Sequence, residues 1–220
     1  MRGVGRFRSE GAVGLVGGRR EWPRTAPRLH GELSLEGVSF EYRSDSPVLR
    51  SVDLRVSPGQ TVALTGPAGA GKTTLLTLVA RLREPTEGVV RIDGQDVSAF
   101  TRASLQAQVR YVPCDSVVFR DLRYGARGRP WSLDELIASL PEGRETVVGE
   151  RGVNLSGGLR QAFAIAAELV GDAPIVLLDE PTASLDPESE ELVLAAFDRL
   201  LAGRTVLVVT HRPDIMQRAD

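Results

Sequence analysis

The sequence predicts an α/β fold in which a mostly parallel central sheet follows an N-terminal antiparallel β subdomain. Two continuous apolar runs, residues 174–180 and 205–211, are typical of strands that are buried on both faces of a parallel sheet. Earlier in the chain, residues 32–42 and 48–56 alternate apolar and polar side chains, as half-buried strands do. Segments with helical spacing lie between the strands and complete the α/β pattern.

Composition indicates one globular domain and excludes several classes of protein. The chain has 220 residues, 42% of them hydrophobic, which is enough for one sizeable core. A net charge of −2 provides no overall field that attracts nucleic acid, so we expect no nucleic-acid partner. The single cysteine, Cys114, excludes a disulfide framework. The longest apolar runs are too short to cross a bilayer.

The first part of the chain differs from the rest. Residues 1–30 are rich in Gly, Arg and Pro and show no periodicity, so we interpret them as a flexible tail or linker. They contain seven arginines and two acidic residues, a balance that also suits contact with nucleic acid or lipid headgroups. A solvated end is the preferred interpretation, and the globular domain is placed at residues 31–220.

Local patterns predict the remaining elements. Residues 61–66 and 89–94 are short apolar strands that end in turns, and residues 72–82 have helical spacing. Further helices are predicted over 133–140, 157–170 and 186–201. The stretch 115–157 lacks the pattern of a buried strand, so we interpret it as a helical insertion.

A glycine-rich loop connects the strand at 61–66 to the helix at 72–82. Residues 66–73 fit the pattern G-x-x-x-x-G-K-[S/T] in the strand–loop–helix context that this pattern requires. Its backbone N–H groups are expected to surround phosphate oxygens, Lys72 to reach the β- and γ-phosphates, and the Thr73 hydroxyl to bind Mg²⁺. The predicted ATP site comprises Gly66, Pro67, Ala68, Gly69, Ala70, Gly71, Lys72, Thr73 and Thr74.

Acidic and imidazole side chains follow the two buried strands. Asp179 ends the first strand and is the expected second Mg²⁺ partner, while Glu180 is expected to orient or deprotonate the attacking water. His211 follows the second strand and is expected to contact the γ-phosphate, because the carboxyl ends of parallel strands meet at one edge. Alone, an acidic strand end or a single histidine is more often an ordinary surface feature.

The segment Asn154-Leu-Ser-Gly-Gly158 identifies a family. Together with the phosphate loop, the Asp179-Glu180 strand end, Ser184-Leu-Asp186 and His211, it resembles the nucleotide-binding domain of ABC transporters over residues 32–220. Residues 146–152 and the first strands resemble the exporter-type branch. The resemblance implies a P-loop NTPase fold and an ATPase that powers an exporter.

The resemblance also implies roles that the residue pattern alone does not. Tyr42 would stack on adenine, although an exposed tyrosine after a strand is also an ordinary rim residue. Asp186 would communicate across a head-to-tail dimer, and the segment 115–150 would contact a transmembrane domain, fused or separate, at the cytoplasmic face of the cell membrane. The γ-phosphate of a second subunit's ATP would be capped by Leu155, Ser156, Gly157 and Gly158.

The sequence departs from the family pattern at several positions. Cys114 and Leu159 stand where glutamine is usual, and Ala162 and Ala167 replace usually basic residues. The family continues with further strands after the position of His211, so we expect C-terminal strands to be missing here. These departures favour, as an alternative, a weakly hydrolysing regulatory half of a heterodimeric transporter.

A third hypothesis is a soluble ATPase of DNA repair or translation. Repair members of the ABC family carry long coiled coils between the phosphate loop and the Ser-Gly-Gly segment, and translation members usually carry two cassettes. The chain has no coiled-coil heptads and accommodates one cassette. The exporter-type ATPase is therefore the leading hypothesis.

Overall fold

Two four-stranded sheets organise the protein. The structure is a computed structural model and describes residues 23–43, 46–114, 172–183, 194, 197 and 201–220. The predicted insertion at 115–157, the helices at 133–140 and 157–170, the segment 154–158 and Asp186 lie outside the described residues. Within the predicted helix at 186–201, the two described residues, Leu194 and Phe197, are both helical.

The first sheet is antiparallel and confirms the predicted N-terminal β subdomain. Its order is β2 (Pro47–Val56), β1 (Leu33–Glu41), β4 (Glu87–Ile92) and β5 (Gln95–Asp96). Strand β1 pairs with β2 on one side and β4 on the other, so Leu33 lies opposite both Val56 and Ile92. All three side chains are fully buried. The alternating pattern seen in the sequence therefore places one face of this sheet in the core.

The second sheet is parallel and confirms the predicted central sheet. Its order is β3 (Thr61–Leu64), β8 (Thr205–Val209), β7 (Ile175–Asp179) and β6 (Val109–Val112). Every residue of β7 and β8 is buried, as expected of continuous apolar strands covered on both faces. The sheet is not in sequence order, because β8 pairs with β3 and β7 lies between β8 and β6.

Short helices complete the described part of the chain. Helix α1 (Lys72–Val79) follows β3, a 3₁₀ turn (Val97–Ala99) and α2 (Arg102–Gln106) lead into β6, and α3 (Pro213–Met216) follows β8. Most residues of helix α1 are buried, and its apolar side chains share one core cluster with apolar residues of both sheets. None of the described helices is long and apolar enough to cross a membrane.

Residues 23–30 differ from the flexible tail predicted for 1–30. This segment, the N-terminal strap, lies against the 3₁₀ turn and α2, with Ala26 and Leu29 buried. Backbone hydrogen bonds join Arg24 to Ala99 and Thr101. Side chains also bond to the strap: the Ala26 and Leu29 N–H groups donate to Ser104 Oγ and Gln108 Oε1. Because single side chains and one isolated bridge hold it, rather than a strand ladder, the strap carries no periodic pattern that sequence reasoning can detect.

The end of the strap is joined to both sheets. Asp93, in the turn after β4, accepts three backbone N–H groups: Oδ2 from His30 at 2.6 Å, and Oδ1 from Gly31 at 3.0 Å and Glu32 at 2.9 Å. Thr205, the first residue of β8, donates its hydroxyl to the Gly31 carbonyl at 2.8 Å. A Cβ at residue 31 would lie 2.5 Å from that hydroxyl oxygen, so the close approach requires glycine.

We expect Asp93→Ala to lower the free energy of unfolding by about 2 kcal/mol, because three N–H groups lose a charged acceptor. Asp53→Ala is the matched control, since Asp53 accepts a single N–H, from Gly37 at 2.8 Å. Its expected loss is below about 1 kcal/mol. Urea denaturation of both variants measures the difference, and equal losses would show that the strap is not held by Asp93.

Candidate nucleotide-binding site

The parallel pairing brings three strand ends together. Strands β3, β8 and β7 are neighbours and run in the same direction, so Leu64, Val209 and Asp179 end at one edge of the sheet. The phosphate loop leaves β3 at this edge, Glu180 follows β7, and Thr210 and His211 follow β8. The structure thus brings Lys72, Asp179, Glu180 and His211 to one edge, as the sequence predicts.

The phosphate loop holds its own lysine. Gly66, Gly69 and Gly71 have φ values of 141°, 79° and 89°, in the region that favours glycine. Lys72 Nζ donates to the Gly66 carbonyl at 2.8 Å and to the Pro67 carbonyl at 2.9 Å. An ammonium has three N–H donors, so these two bonds hold the positive charge over the loop without using its full capacity. The lysine is therefore placed to meet phosphate oxygens.

The antiparallel sheet supports the loop from behind. Gly71 is buried beside β2, and a Cβ at this position would lie 2.7 Å from Leu49 Cδ2 and 3.1 Å from the Val48 carbonyl oxygen. A Cβ at Gly69 would have no heavy atom within 4 Å. Glycine is thus required at residue 71 by both conformation and packing, and at residue 69 by conformation alone.

The Asp179 carboxylate is anchored at both oxygens. Asp179 is 5% exposed, so its carboxylate needs hydrogen bonds to offset the cost of burying a charge. The Thr73 hydroxyl donates to Oδ1 at 3.0 Å, and the Tyr111 hydroxyl donates to Oδ2 at 3.2 Å. Burial and the neighbouring Asp179 charge raise the pKa of Tyr111, so its hydroxyl stays protonated and remains a donor.

Tyr111 was not among the predicted site residues. The signal that could have found it is a polar aromatic residue near the carboxyl end of β6, the strand that pairs with β7. Sequence reasoning could not use this signal, because the order of strands in the sheet is not visible along the chain.

Glu180 and His211 form a pair across the ends of β7 and β8. His211 Nε2 lies 3.3 Å from Glu180 Oε1, and both side chains are partly exposed. Glu180 has φ of 46°, an uncommon value for a residue with a side chain. Its N–H donates to the Val209 carbonyl at 3.0 Å, which continues the sheet pairing and holds the strained backbone in place.

Tyr42 lies at the end of β1 and is 52% exposed. Its hydroxyl hydrogen-bonds with Thr74 Oγ1 at 3.0 Å, which ties the ring to the start of α1. The ring packs edge-on against Phe40 at a centroid distance of 5.0 Å, and the Arg83 guanidinium lies 4.6 Å from its centroid. An exposed aromatic ring attached to the phosphate loop's helix suits a nucleotide base.

The residues present fit a magnesium ion. Mg²⁺ prefers oxygen ligands and is usually bound by one or two protein groups together with waters and substrate phosphates. The hydroxyl of Thr73 and the carboxylate of Asp179 are oxygen donors 3.0 Å apart, at the loop where phosphates are expected. This small donor set matches a metal that is bound jointly with a nucleotide.

The phosphate loop, the carboxylate beside it and the parallel sheet define a nucleoside-triphosphate-binding protein of the P-loop class. The sequence model of the ABC transporter family matches residues 49–183, more than half of the chain. The chain therefore belongs to the ABC transporter family, as an ATPase domain, and membership supports ATP as the ligand.

Relatives and a solved structure agree with this assignment. An ATP-dependent lipid A-core flippase of Cupriavidus metallidurans is 42% identical over 212 residues, which cover 88% of this chain and 36% of the relative. ATP-binding cassette sub-family B member 6 of Mesocricetus auratus is 40% identical over 218 residues, covering 91% of this chain and 26% of the relative.

The solved structure of a bacterial Atm1-family ABC exporter with ATP bound has a TM-score of 0.76 at 36% identity. The match covers 90% of this chain and 37% of that one. These comparisons confirm the predicted family and fold. The chain spans about a third of the flippase and of the exporter.

Gly71→Ala and Gly69→Ala test how β2 supports the loop. Both variants place a side chain at positive φ, which lowers stability by about 1–2 kcal/mol. In Gly71→Ala the new methyl group also clashes with β2, which lowers stability by roughly 1–3 kcal/mol more. We therefore expect Gly71→Ala to be the less stable variant by about 2 kcal/mol in chemical denaturation. Equal stability of the two variants would show that β2 does not constrain the loop.

Proposed function

We propose that this chain is an ATP-hydrolysing domain that powers an exporter-type transporter from the cytoplasmic face of the membrane. The observation that carries the proposal is the Glu180–His211 pair, held beside the buried Asp179 at the edge where the phosphate loop begins. A domain that only binds nucleotide has little use for a carboxylate at that position. The flippase and exporter names of its relatives support the transport role.

The site residues divide the work of phosphoryl transfer. Lys72 and the loop N–H groups bind the β- and γ-phosphates. Thr73 and Asp179 hold Mg²⁺, which neutralises part of the phosphate charge when it is bound. Glu180 orients the attacking water and accepts its proton as the oxygen attacks the γ-phosphorus. His211 keeps the Glu180 carboxylate in place and contacts the γ-phosphate. Tyr42 stacks on adenine.

Half of the site comes from a second domain. In the proposed head-to-tail dimer, Leu155 to Gly158 of one chain cap the γ-phosphate bound by the other, with Ser156 donating to it, and Asp186 lies at the shared interface. Closure over ATP positions the charges and excludes water, so hydrolysis is efficient only in the closed dimer. Closure and release then move a transmembrane partner through the segment 115–150.

A regulatory function is the second candidate, and Cys114 favours it. This residue follows β6 by two positions, at the place where the family has glutamine. A thiol makes weaker hydrogen bonds than an amide, so coupling between this domain and a membrane partner is weakened if the glutamine's role is lost. In that case the chain clamps ATP in a heterodimer and hydrolyses it slowly.

Glu180→Gln separates the two candidates. We expect this variant to bind ATP as the unchanged chain does and to lose steady-state phosphate release by at least about 100-fold, because the amide does not accept the water's proton. Binding is measured by calorimetry and turnover by released phosphate. If the two proteins release phosphate equally slowly while binding ATP, the regulatory function is correct.

Mixing two inactive variants tests the shared site. Lys72→Ala removes the phosphate contact from its own site, and Ser156→Ala removes the cap that the chain supplies to its neighbour. A mixed dimer contains one site with neither change, so we expect mixing to restore part of the phosphate release. Activity of the unchanged chain should also rise faster than linearly with concentration. Linear scaling with no restoration would contradict the dimer.

A further inference from the structure

We infer that Tyr111 is a positioning residue that sets the orientation of the Asp179 carboxylate and thereby the site's capacity to take up Mg²⁺ with ATP. The inference rests on the proposed use of Asp179 as a metal-holding group. Tyr111 lies outside the phosphate loop and the Asp179-Glu180 strand end, and the proposed mechanism gives it no role.

The geometry follows from the register of β6 and β7. Tyr111 is paired with Leu177, and Asp179 lies two residues further along β7, on the same face of the sheet as Leu177 because side chains alternate. Two strand residues span about 6.6 Å, which is roughly the reach of a tyrosine side chain leaning along its strand. The phenol therefore bridges the step from residue 177 to residue 179, and its hydroxyl meets Oδ2 at 3.2 Å.

The two hydroxyl contacts hold the carboxylate from different elements. Thr73 lies in the first turn of α1 and contacts Oδ1, whereas Tyr111 lies on β6 and contacts Oδ2. The terminal torsion of an aspartate is broad when nothing constrains it, so one contact alone leaves the carboxylate able to rotate. Two contacts on a side chain that is 5% exposed leave one orientation.

Orientation matters because of the ion that the site is proposed to hold. Mg²⁺ requires nearly ideal octahedral geometry, and partners that orient a ligand group typically affect metal affinity by about 10–100-fold. A tyrosine with a purely structural role would stabilise the protein by the packing of its ring, and phenylalanine would keep that packing. Removal of the hydroxyl group therefore distinguishes a positioning role from a packing role.

Tyr111→Phe tests the inference in the Glu180→Gln background, in which ATP is not consumed during the measurement. We measure ATP affinity by calorimetry with Mg²⁺ and again with EDTA. The expected result is a loss of about tenfold in affinity with Mg²⁺ and no change with EDTA. Tyr42→Phe is the matched control, because it removes a tyrosine hydroxyl bonded to Thr74 at 3.0 Å, and its effect should be equal in both buffers.

The same change in an Asp179→Asn variant tests whether Tyr111 acts on Mg²⁺ binding by way of Asp179. In that variant, we expect the added Tyr111→Phe change to alter ATP affinity neither with Mg²⁺ nor with EDTA. An equal loss with and without Mg²⁺, or no loss in either buffer, would overturn the inference while leaving the proposed function intact. If the parent protein binds ATP no more tightly with Mg²⁺ than with EDTA, the metal-holding role of Asp179 fails, and this inference fails with it.

Discussion

Parallel pairing of β3, β8 and β7 is the constraint on which the candidate site depends. Residues far apart along the chain meet because these strands end at one edge: the phosphate loop after Leu64, the carboxylates at 179–180 and the imidazole at 211. Every residue of β7 and β8 is buried, and before the strand ends their one polar side chain is Thr205, at the start of β8. The charged side chains that follow β7 and the phosphate loop therefore meet at one edge, where a phosphate ligand can offset the loop's positive potential.

The two sheets are joined at both ends of the parallel strands. The phosphate loop packs its last glycine, Gly71, against β2 of the antiparallel sheet. At the opposite end of the strands, the Thr205 hydroxyl donates to the carbonyl of Gly31, the residue after the strap, and accepts the Gly59 N–H of the β2–β3 turn. These contacts therefore fix the parallel sheet against β2 and against the residues that lead into β1.

The charged side chains of the site bond to neighbouring protein groups. The Lys72 ammonium donates to two loop carbonyls, and His211 contacts Glu180. These contacts restrict the side chains of Lys72 and Glu180, and side chains that are already ordered lose less entropy when they engage a ligand. The uncommon backbone conformation of Glu180 is stabilised by its N–H hydrogen bond to the Val209 carbonyl and keeps that carboxylate at the strand end.

Sequence patterns were sufficient for the parts of this protein that depend on local chemistry. The loop at 66–73, the alternating strands and the continuous apolar strands each need particular residues at fixed spacing, so they can be recognised without knowing what lies beside them. Tyr111 and the strap at 23–30 could not be recognised in this way. Both depend on contacts between residues that are distant in sequence. Tyr111 meets Asp179 because β6 pairs with β7. The strap is bonded to the side chains of Ser104, Gln108 and Asp93. A single hydrogen-bonding side chain imposes no repeat on the sequence, and only folding determines which partner it meets.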